Sequence, residues 1–122
     1  MQINESIEDY LECIHILKQR NGVVRSIDIA NELGVTKPSV SHAMKLLREN
    51  DYISMKIGGT IELTDAGYQI AHCMFERHQL LASFLIKLGV SENTAFTDAC
   101  KIEHDISTES FSAPLNEKVK VM

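Results

Sequence analysis

The spacing of apolar residues predicts a helix at the start of the chain. Between Glu5 and Gln19 an apolar side chain recurs every three or four positions, as on the buried face of an amphipathic helix. These positions are Ile7, Tyr10, Leu11, Ile14 and Leu17. Asn21 and Gly22 follow, and such a pair is typical of a helix end. We therefore expect one face of this helix to contribute to a core.

Two further helices are predicted next, separated by a short turn. Ser26 is a candidate N-cap for the short helix "IDIANEL", and Gly34 suits the left-handed conformation that follows a helix. Thr36 is a candidate cap for a third helix running to about Asn50, with Pro38 in its first turn. The apolar stripe of that helix comprises Val40, Ala43, Met44 and Leu47.

The pattern then changes from a helical period to alternation. The segment "YISMKIGGTIEL" alternates apolar and polar residues on both sides of Gly58 and Gly59, which predicts a β-hairpin. A long helix should begin at Thr64 or Asp65 and run to about Leu88. Ser91 can cap a last helix through Ile106, and from Ser107 we expect at most a short helical turn and a frayed end.

Composition indicates an ordinary globular protein. The chain has 122 residues, of which 44% are hydrophobic and 24% charged, and no apolar run approaches the roughly 18 residues that span a bilayer. The N-terminus lacks the pattern of a signal peptide, so we expect a cytoplasmic protein with no membrane partner. Cys13, Cys73 and Cys100 are odd in number and scattered, which favours reduced thiols over disulfides.

The net charge of −5 is unevenly distributed along the chain. Between Leu17 and Ile57 there are seven Lys or Arg residues and four acids, giving +3, so the remainder carries −8. A basic segment between two acidic ones coincides with the paired helices and the hairpin. This coincidence suggests a nucleic-acid contact despite the overall acidity.

Three helices followed by a hairpin are the order of a winged helix-turn-helix, in which the third helix enters the major groove. The predicted DNA contacts lie at the start and on the outer face of that helix, or flank it. They are Arg25, Thr36, Lys37, Pro38, Ser39, Ser41, His42, Lys45, Arg48 and Lys56. The alternative is a helical hairpin with a solvated charged face, and His42 in particular could be only a solvated side chain.

Several side chains of metal-ligand type fall at helical spacings. Cys100, Glu103 and His104 occupy positions i, i+3 and i+4, which would share one helix face, and Asp9 and Glu12 are one turn apart. His78 lies in an apolar stripe. Individually these could be solvated acids, a packed histidine and a small buried cysteine. Jointly, such acids near a buried face would repel one another without a cation, and the mixed ligand set suits a first-row divalent ion.

The chain resembles the metal-dependent repressors of the diphtheria toxin repressor and manganese transport regulator family. The resemblance extends in family order to about Ser107 and is carried by "ESIEDYLECIHIL", "VRSIDIANELGVTKPSVSHAMKLL", "IELTDAG", "ERHQLLASFL" and "DACKIEHDIS". It implies a mainly α protein with a winged helix-turn-helix, three helices plus a β-hairpin wing, over residues 1–64. A helical metal-binding and dimerisation domain would occupy residues 65–122, with no SH3-like third domain.

The resemblance also implies a function. The expected protein is not an enzyme but a homodimeric repressor of metal-homeostasis genes that binds a pseudo-palindromic double-stranded operator. Its cofactor would be Mn(II) or Fe(II), with Co(II) or Zn(II) as surrogates, and no organic cofactor. The family's ligand positions fall on Asp9, Glu12, His78, Cys100, Glu103 and His104.

Cys100 departs from the manganese-type pattern, in which a glutamate stands at this position, and matches the iron-type pattern. The resemblance aligns the glutamate and second histidine of the iron-type ancillary site with Ala82 and Phe96, so we expect that site to be lost. Two alternatives remain open at this point. They are a winged-helix regulator that responds to a non-metal or redox signal through Cys100, and a metalloenzyme.

Overall fold

The computed structural model describes residues 5–112, which divide into two compact units between His72 and Cys73. Within the described residues the order of elements is three helices, a β-hairpin and three more helices. Their bounds are α1 Glu5–Asn21, α2 Ser26–Leu33, α3 Lys37–Glu49, β1 Ile53–Met55, β2 Ile61–Leu63, α4 Asp65–Lys87, α5 Glu92–Ile102 and α6 Thr108–Ser112. This order confirms the predicted mainly α, winged-helix class. The domain division predicted after residue 64 stays a prediction.

The core of the first unit forms where the predicted apolar stripes meet. The α1 stripe is buried throughout, with Leu11 and Ile14 at 0% and 1% exposure, and the α3 stripe from Val40 to Leu47 is buried beside it. Ile53 and Ile61 add the inner face of the hairpin to the same core. Because these apolar faces are buried, the opposite, polar face of α3 is left to solvent.

The hairpin is a short antiparallel ribbon joined to the helices. β1 and β2 pair Ile53 with Leu63 and Met55 with Ile61. Gly58 and Gly59 adopt φ of 94° and 83°, a left-handed region that glycine enters without strain. The Ile61 N–H donates to the Val24 carbonyl oxygen at 2.8 Å, which ties the hairpin to the segment preceding α2.

Three predicted helix starts are confirmed, including Ser91 as the N-cap residue of α5, and one is wrong. Thr36 caps α3, because its Oγ1 accepts a hydrogen bond from the Ser39 N–H at 3.3 Å, and α4 begins at Asp65 as expected. Ser26 is not the cap of α2 but its first residue. The N-cap is Arg25, whose own N–H donates to the Asp28 carboxylate at 2.9 Å. The acid three residues into the turn therefore fixes this start instead of a serine hydroxyl.

In the second unit, α4 packs against α5 through a small apolar cluster. Leu81, Ala82 and Ala99 are buried there, with Phe96 packed against them. The prediction of a helix through Ile106 is wrong, because α5 ends at Ile102 and a turn follows. The predicted short helical turn near the end is present as α6, whereas the expected frayed end at 113–122 lies outside the described residues. No helix in residues 5–112 is long and apolar enough to cross a membrane.

Candidate metal centre and nucleic-acid interface

The outward face of α3 and its surroundings carry the residues predicted to contact DNA. All ten candidate side chains are exposed in the structure: Arg25, Thr36, Lys37, Pro38, Ser39, Ser41, His42, Lys45, Arg48 and Lys56. The Thr36 cap fixes where α3 begins, and the buried stripe fixes which side faces outward. The exposed N-terminus of α3 also offers backbone N–H groups and a positive dipole end, both of which favour phosphate.

Three of the basic candidates contact the hairpin. Arg25 Nε donates to the Gly58 carbonyl oxygen at 3.3 Å, and Arg48 Nη1 lies 3.7 Å from the Met55 sulfur. Lys56 Nζ lies 3.2 Å from the Glu62 carboxylate. An exposed ion pair of this kind adds little stability. These contacts instead hold positive groups beside the hairpin, on the same unit as the outward face of α3.

The second unit contains a carboxylate that faces two histidines. Glu103 is 0% exposed, and its Oε2 lies 3.3 Å from His78 Nδ1 while its Oε1 lies 3.6 Å from His104 Nε2. The His104 side chain is 2% exposed and that of His78 is 20% exposed. The turn after α5 and the middle of α4 therefore bring imidazole and carboxylate groups to one place.

Cys100 belongs to the same group of side chains. Its sulfur and ligand atoms of Glu103 and His104 all lie within 4.8 Å of one another. Only Cys100 of these three lies within α5, because Glu103 caps the end of the helix and His104 follows in the turn. The helix-face argument from the sequence thus gave the correct grouping, although two of the three residues lie past the helix end. Cys100 is exposed, so it is not the small buried hydrophobe of the alternative interpretation.

The Glu103 carboxylate fits a cation site. Within the part of the chain that the structure describes, neither of its oxygens accepts a hydrogen bond of good geometry. A buried ionised carboxylate without donors is costly unless a positive charge stands beside it. Imidazole, thiolate and carboxylate are together the donor set of a first-row divalent ion, so the residues present suit such a metal.

Asp9 and Glu12, the remaining predicted ligands, lie on α1 in the first unit. They are one turn apart and therefore share a face of that helix. Asp9 is half-buried, and Glu12 is only 5% exposed, which is unusual for a glutamate. The four other candidates all belong to the second unit.

The two positions that the resemblance assigns to an ancillary iron-type site, Ala82 and Phe96, carry apolar side chains. Ala82 is fully buried in the α4–α5 cluster, and Phe96 packs against that cluster. The Phe96 ring lies 5.5 Å from the His78 ring, centroid to centroid. Apolar packing therefore takes the place where a second glutamate and histidine would be needed.

Arg77 is a residue of this region that the sequence analysis missed. It is 6% exposed, and its Nη1 donates to the carbonyl oxygens of Glu103 and Ile106 at 3.3 and 3.1 Å. A signal was available, because Arg77 follows Met74 by three positions and precedes Leu81 by four, which places a charge within the apolar stripe of α4. A charge so placed needs buried partners, but the sequence could not identify them.

Two family models match the chain. The iron-dependent repressor N-terminal DNA-binding domain matches residues 2–57, and the iron-dependent repressor metal-binding and dimerisation domain matches residues 64–113. The first match covers α1, α2, α3 and β1 and ends within the hairpin, before β2. The second covers α4, α5 and the turn that carries Glu103 and His104.

Individual relatives carry related names. The transcriptional regulator MntR of Salmonella typhimurium is 38% identical over 109 residues, which are 89% of this chain and 69% of that protein. The HTH-type transcriptional regulator MntR of Geobacillus kaustophilus is 37% identical over 102 residues, covering 84% of this chain and 72% of that protein.

Solved structures of similar fold include a manganese-dependent transcriptional repressor in complex with manganese. It has a TM-score of 0.84 and 27% identity, covering 95% of this chain and 53% of that one. The manganese regulator SloR has a TM-score of 0.80 and 27% identity, covering 100% of this chain and 56% of that one. The chain thus spans about half the length of these two solved structures.

Proposed function

Since the chain belongs to the iron-dependent repressor family, a family of metal-dependent DNA-binding repressors and not of enzymes, we propose that it represses metal-homeostasis genes in response to a divalent metal. The observation that carries the proposal is the fully buried Glu103 carboxylate, which faces His78 and His104 beside Cys100. The same chain presents an exposed polar and basic face on α3. A metal-type ligand cluster and a DNA-type surface in one short chain favour a metal-controlled regulator.

The proposed ligands are Asp9, Glu12, His78, Cys100, Glu103 and His104. The second-unit members are supported by their mutual distances, and the first-unit pair by the burial of Glu12 and its helical spacing from Asp9. A divalent ion held by these groups would supply positive charge that offsets part of the charge of the three carboxylates. That compensation is what a buried acidic cluster requires.

Mn(II) or Fe(II) is proposed as the physiological ion, with Co(II) and Zn(II) as surrogates. Carboxylate oxygens suit Mn(II), whereas imidazole and thiolate shift the preference toward softer ions. Cys100 is exposed and adjoins Glu103 and His104, which allows its thiolate to join the set.

The proposed DNA partner is a pseudo-palindromic double-stranded operator bound by a homodimer in the cytoplasm. A two-fold symmetric protein reads two half-sites whose separation must match the separation of its recognition helices. α3 would lie in the major groove with Ser41, His42 and Lys45 toward base edges or phosphates. Arg25, Arg48 and Lys56, which adjoin the hairpin, would contact phosphates.

Metal and DNA binding are proposed to be coupled through the ligands. Asp9 and Glu12 on α1 belong to the DNA-binding unit, whereas the other four ligands belong to the unit that matches the dimerisation domain model. Sharing one ion would therefore restrict the spacing of the two DNA-binding units in the dimer. Metal affinity and DNA affinity should then rise together.

A fluorescence anisotropy titration tests this function. The probe is a labelled duplex that the wild-type chain selects from a randomised library with Mn(II), titrated with metal-stripped protein with and without Mn(II) or anaerobic Fe(II). We expect metal-stimulated binding by the wild type and none by the double variant Glu103→Ala, His104→Ala. Asp105→Ala, an exposed neighbour in the same turn, serves as the matched control and should keep the response.

The outcomes separate the alternatives. Metal-stimulated binding by the double variant would contradict the proposed ligands. A different result would favour the redox regulator. DNA binding by the wild type would then be the same with and without metal and would be lost on oxidation, whereas Cys100→Ser would still bind DNA after oxidation.

A further inference from the structure

Arg77 is a buried cation that contacts the turn carrying two proposed ligands. Its Nη1 donates to the carbonyl oxygens of Glu103 at 3.3 Å and Ile106 at 3.1 Å. Its guanidinium carbon lies 5.2 Å from the centroid of the Phe111 ring in α6. One side chain of α4 therefore contacts both ends of the turn after α5 and the helix that follows it.

These contacts satisfy backbone carbonyl groups just past the end of α5. The last carbonyl groups of a helix lack partners within the helix and need donors from elsewhere. The Arg77 guanidinium donates to carbonyls at and just after the helix end, where a positive charge also complements the helix dipole. The chain can accordingly leave the helical path after Ile102 without burying unsatisfied carbonyl groups.

The turn fixed in this way contains Glu103 and His104. The Glu103 carbonyl accepts from Arg77 while its side-chain carboxylate faces His78, the next residue of α4. Adjacent residues of one helix thus contact the backbone and the side chain of the same glutamate. With the main chain held by Arg77, the Glu103 carboxylate and the His104 imidazole have little freedom to separate.

We propose that Arg77 is a positioning residue that presets Glu103 and His104 for metal binding by clamping the Glu103–Ile106 turn, an inference that rests on the proposed metal function. It does not itself coordinate the ion, because a guanidinium has no acceptor atom. Residues that orient metal ligands commonly change metal affinity by about 10- to 100-fold when they are replaced.

Two substitutions at Arg77 test the clamp. Arg77→Met removes the donors while retaining an unbranched side chain, and Arg77→Lys keeps the charge on a shorter stem that reaches the carbonyls less well. Leu81→Val is the control, because it weakens the α4–α5 apolar cluster without removing a hydrogen bond to the turn. The three variants are compared with the wild type after unfolding curves of the metal-free proteins have been recorded.

Two readouts distinguish positioning from general stability. The first is amide hydrogen exchange over residues 103–107 in the metal-free protein. The second is Co(II) binding, measured through the visible absorption spectrum and the affinity. We expect faster exchange in the turn, an altered Co(II) spectrum and an affinity about 10- to 100-fold weaker in Arg77→Met, with Arg77→Lys intermediate. Leu81→Val should keep the wild-type Co(II) spectrum.

Contrary results are equally specific. If Arg77→Met has the same Co(II) spectrum and affinity as the wild type, the positioning role is overturned, whether or not amide exchange in the turn increases. An altered spectrum without faster exchange in the turn would overturn the clamp. If the wild-type chain binds no Co(II), the proposed function fails, and amide exchange alone tests the clamp. Faster exchange in the turn of Arg77→Met would then support the clamp, and unchanged exchange would overturn it.

Discussion

At the scale of single residues, Glu103 shows why burial and chemistry have to be considered together. A glutamate with no exposed surface is rare, and one whose carboxylate faces two histidines has few structural explanations. A shared dication balances the carboxylate and uses the neutral imidazoles as ligands, which is the arrangement that we propose.

Cys100 should decide which ions bind best. Cys100→Ser replaces a soft thiolate by a harder hydroxyl, so we expect Co(II) and Zn(II) affinity to fall by about tenfold, or roughly 1.4 kcal/mol, and Mn(II) affinity to change less. Competition titrations and loss of the Co(II)–thiolate absorption band measure the effect. Cys73→Ser, which replaces a half-buried cysteine of the same unit, is the control. An equal loss of affinity for all three ions would contradict a direct sulfur ligand.

His15 should make the stability of the metal-free protein depend on pH. Burial, and to a smaller extent the neighbouring His72, hold the pKa of His15 below its ordinary value of 6.5. The folded state therefore binds fewer protons than the unfolded state just below pH 6.5. The stability contributed by neutral His15 is fully present above pH 6.5 and is lost as the pH falls toward the folded-state pKa.

The variant His15→Phe tests this dependence. It keeps an aromatic ring against Tyr68 and His72, whose rings lie 5.5 and 5.9 Å from that of His15, but it cannot be protonated. The free energy of unfolding, measured by urea denaturation at closely spaced pH values, should fall less steeply below pH 6.5 in the variant. If the free energy of unfolding falls equally with pH in the wild type and in His15→Phe, His15 is not the cause of the pH dependence.

At the scale of elements, the sequence predicted what depends on local pattern and missed what depends on tertiary contacts. The stripes of α1 and α3, the hairpin at Gly58 and Gly59 and the Thr36 cap all follow from residues close in sequence, and the structure confirms them. Just past the end of α5, the Glu103 carbonyl accepts a hydrogen bond from Arg77, which is 26 positions away. No periodicity argument could supply that hydrogen bond, and so the predicted helix extended too far.

For the candidate site, too, the sequence predicted features that depend on local spacing and missed those that depend on tertiary packing. The one-turn spacing from Cys100 to His104 predicted their grouping, and the distances among Cys100, Glu103 and His104 agree with it. Complete burial of Glu103, in contrast, depends on how α4 packs beside the turn.

The start of α2 was mispredicted for a local reason, since Ser26 and Arg25 are neighbours and the Asp28 carboxylate selects Arg25.

Removal of the Thr36 cap should destabilise α3 directly. Thr36→Ala leaves the Ser39 N–H without its side-chain acceptor, and we expect a loss of about 1 kcal/mol in the free energy of unfolding. Thr36→Ser keeps the hydroxyl and should lose much less. Urea denaturation of metal-free protein without DNA measures both variants. A Thr36→Ala protein as stable as the wild type would mean that the hydrogen bond contributes nothing.

At the scale of the whole molecule, the charge distribution reconciles an acidic protein with a DNA partner. The net charge of −5 would repel DNA if it were spread evenly, but residues 17–57 carry +3 and the rest carries −8. The basic share coincides with α2, α3 and the hairpin, and much of the acidic share falls outside that surface. Association should therefore be governed by the local charge more than by the total.

Salt dependence should identify which basic residues contact phosphate. Lys45→Ala on the exposed face of α3 should weaken binding and reduce the slope of log affinity against log salt by about 1 if Lys45 neutralises a phosphate. Arg20→Ala is the matched control, because Arg20 is basic and exposed but already pairs with Glu32 at 2.9 Å. If the slope of log affinity against log salt changes more in Arg20→Ala than in Lys45→Ala, the exposed face of α3 is not the main phosphate-contacting surface.

The coupling of metal and DNA binding is tested most directly by measuring Mn(II) affinity in the presence and absence of the selected duplex, with the free Mn(II) followed by electron paramagnetic resonance. Because coupling between two binding sites is reciprocal, saturating duplex should tighten Mn(II) binding by the same factor by which Mn(II) tightens duplex binding, roughly 5- to 150-fold. An Mn(II) affinity that is the same with and without duplex would contradict a metal-controlled repressor.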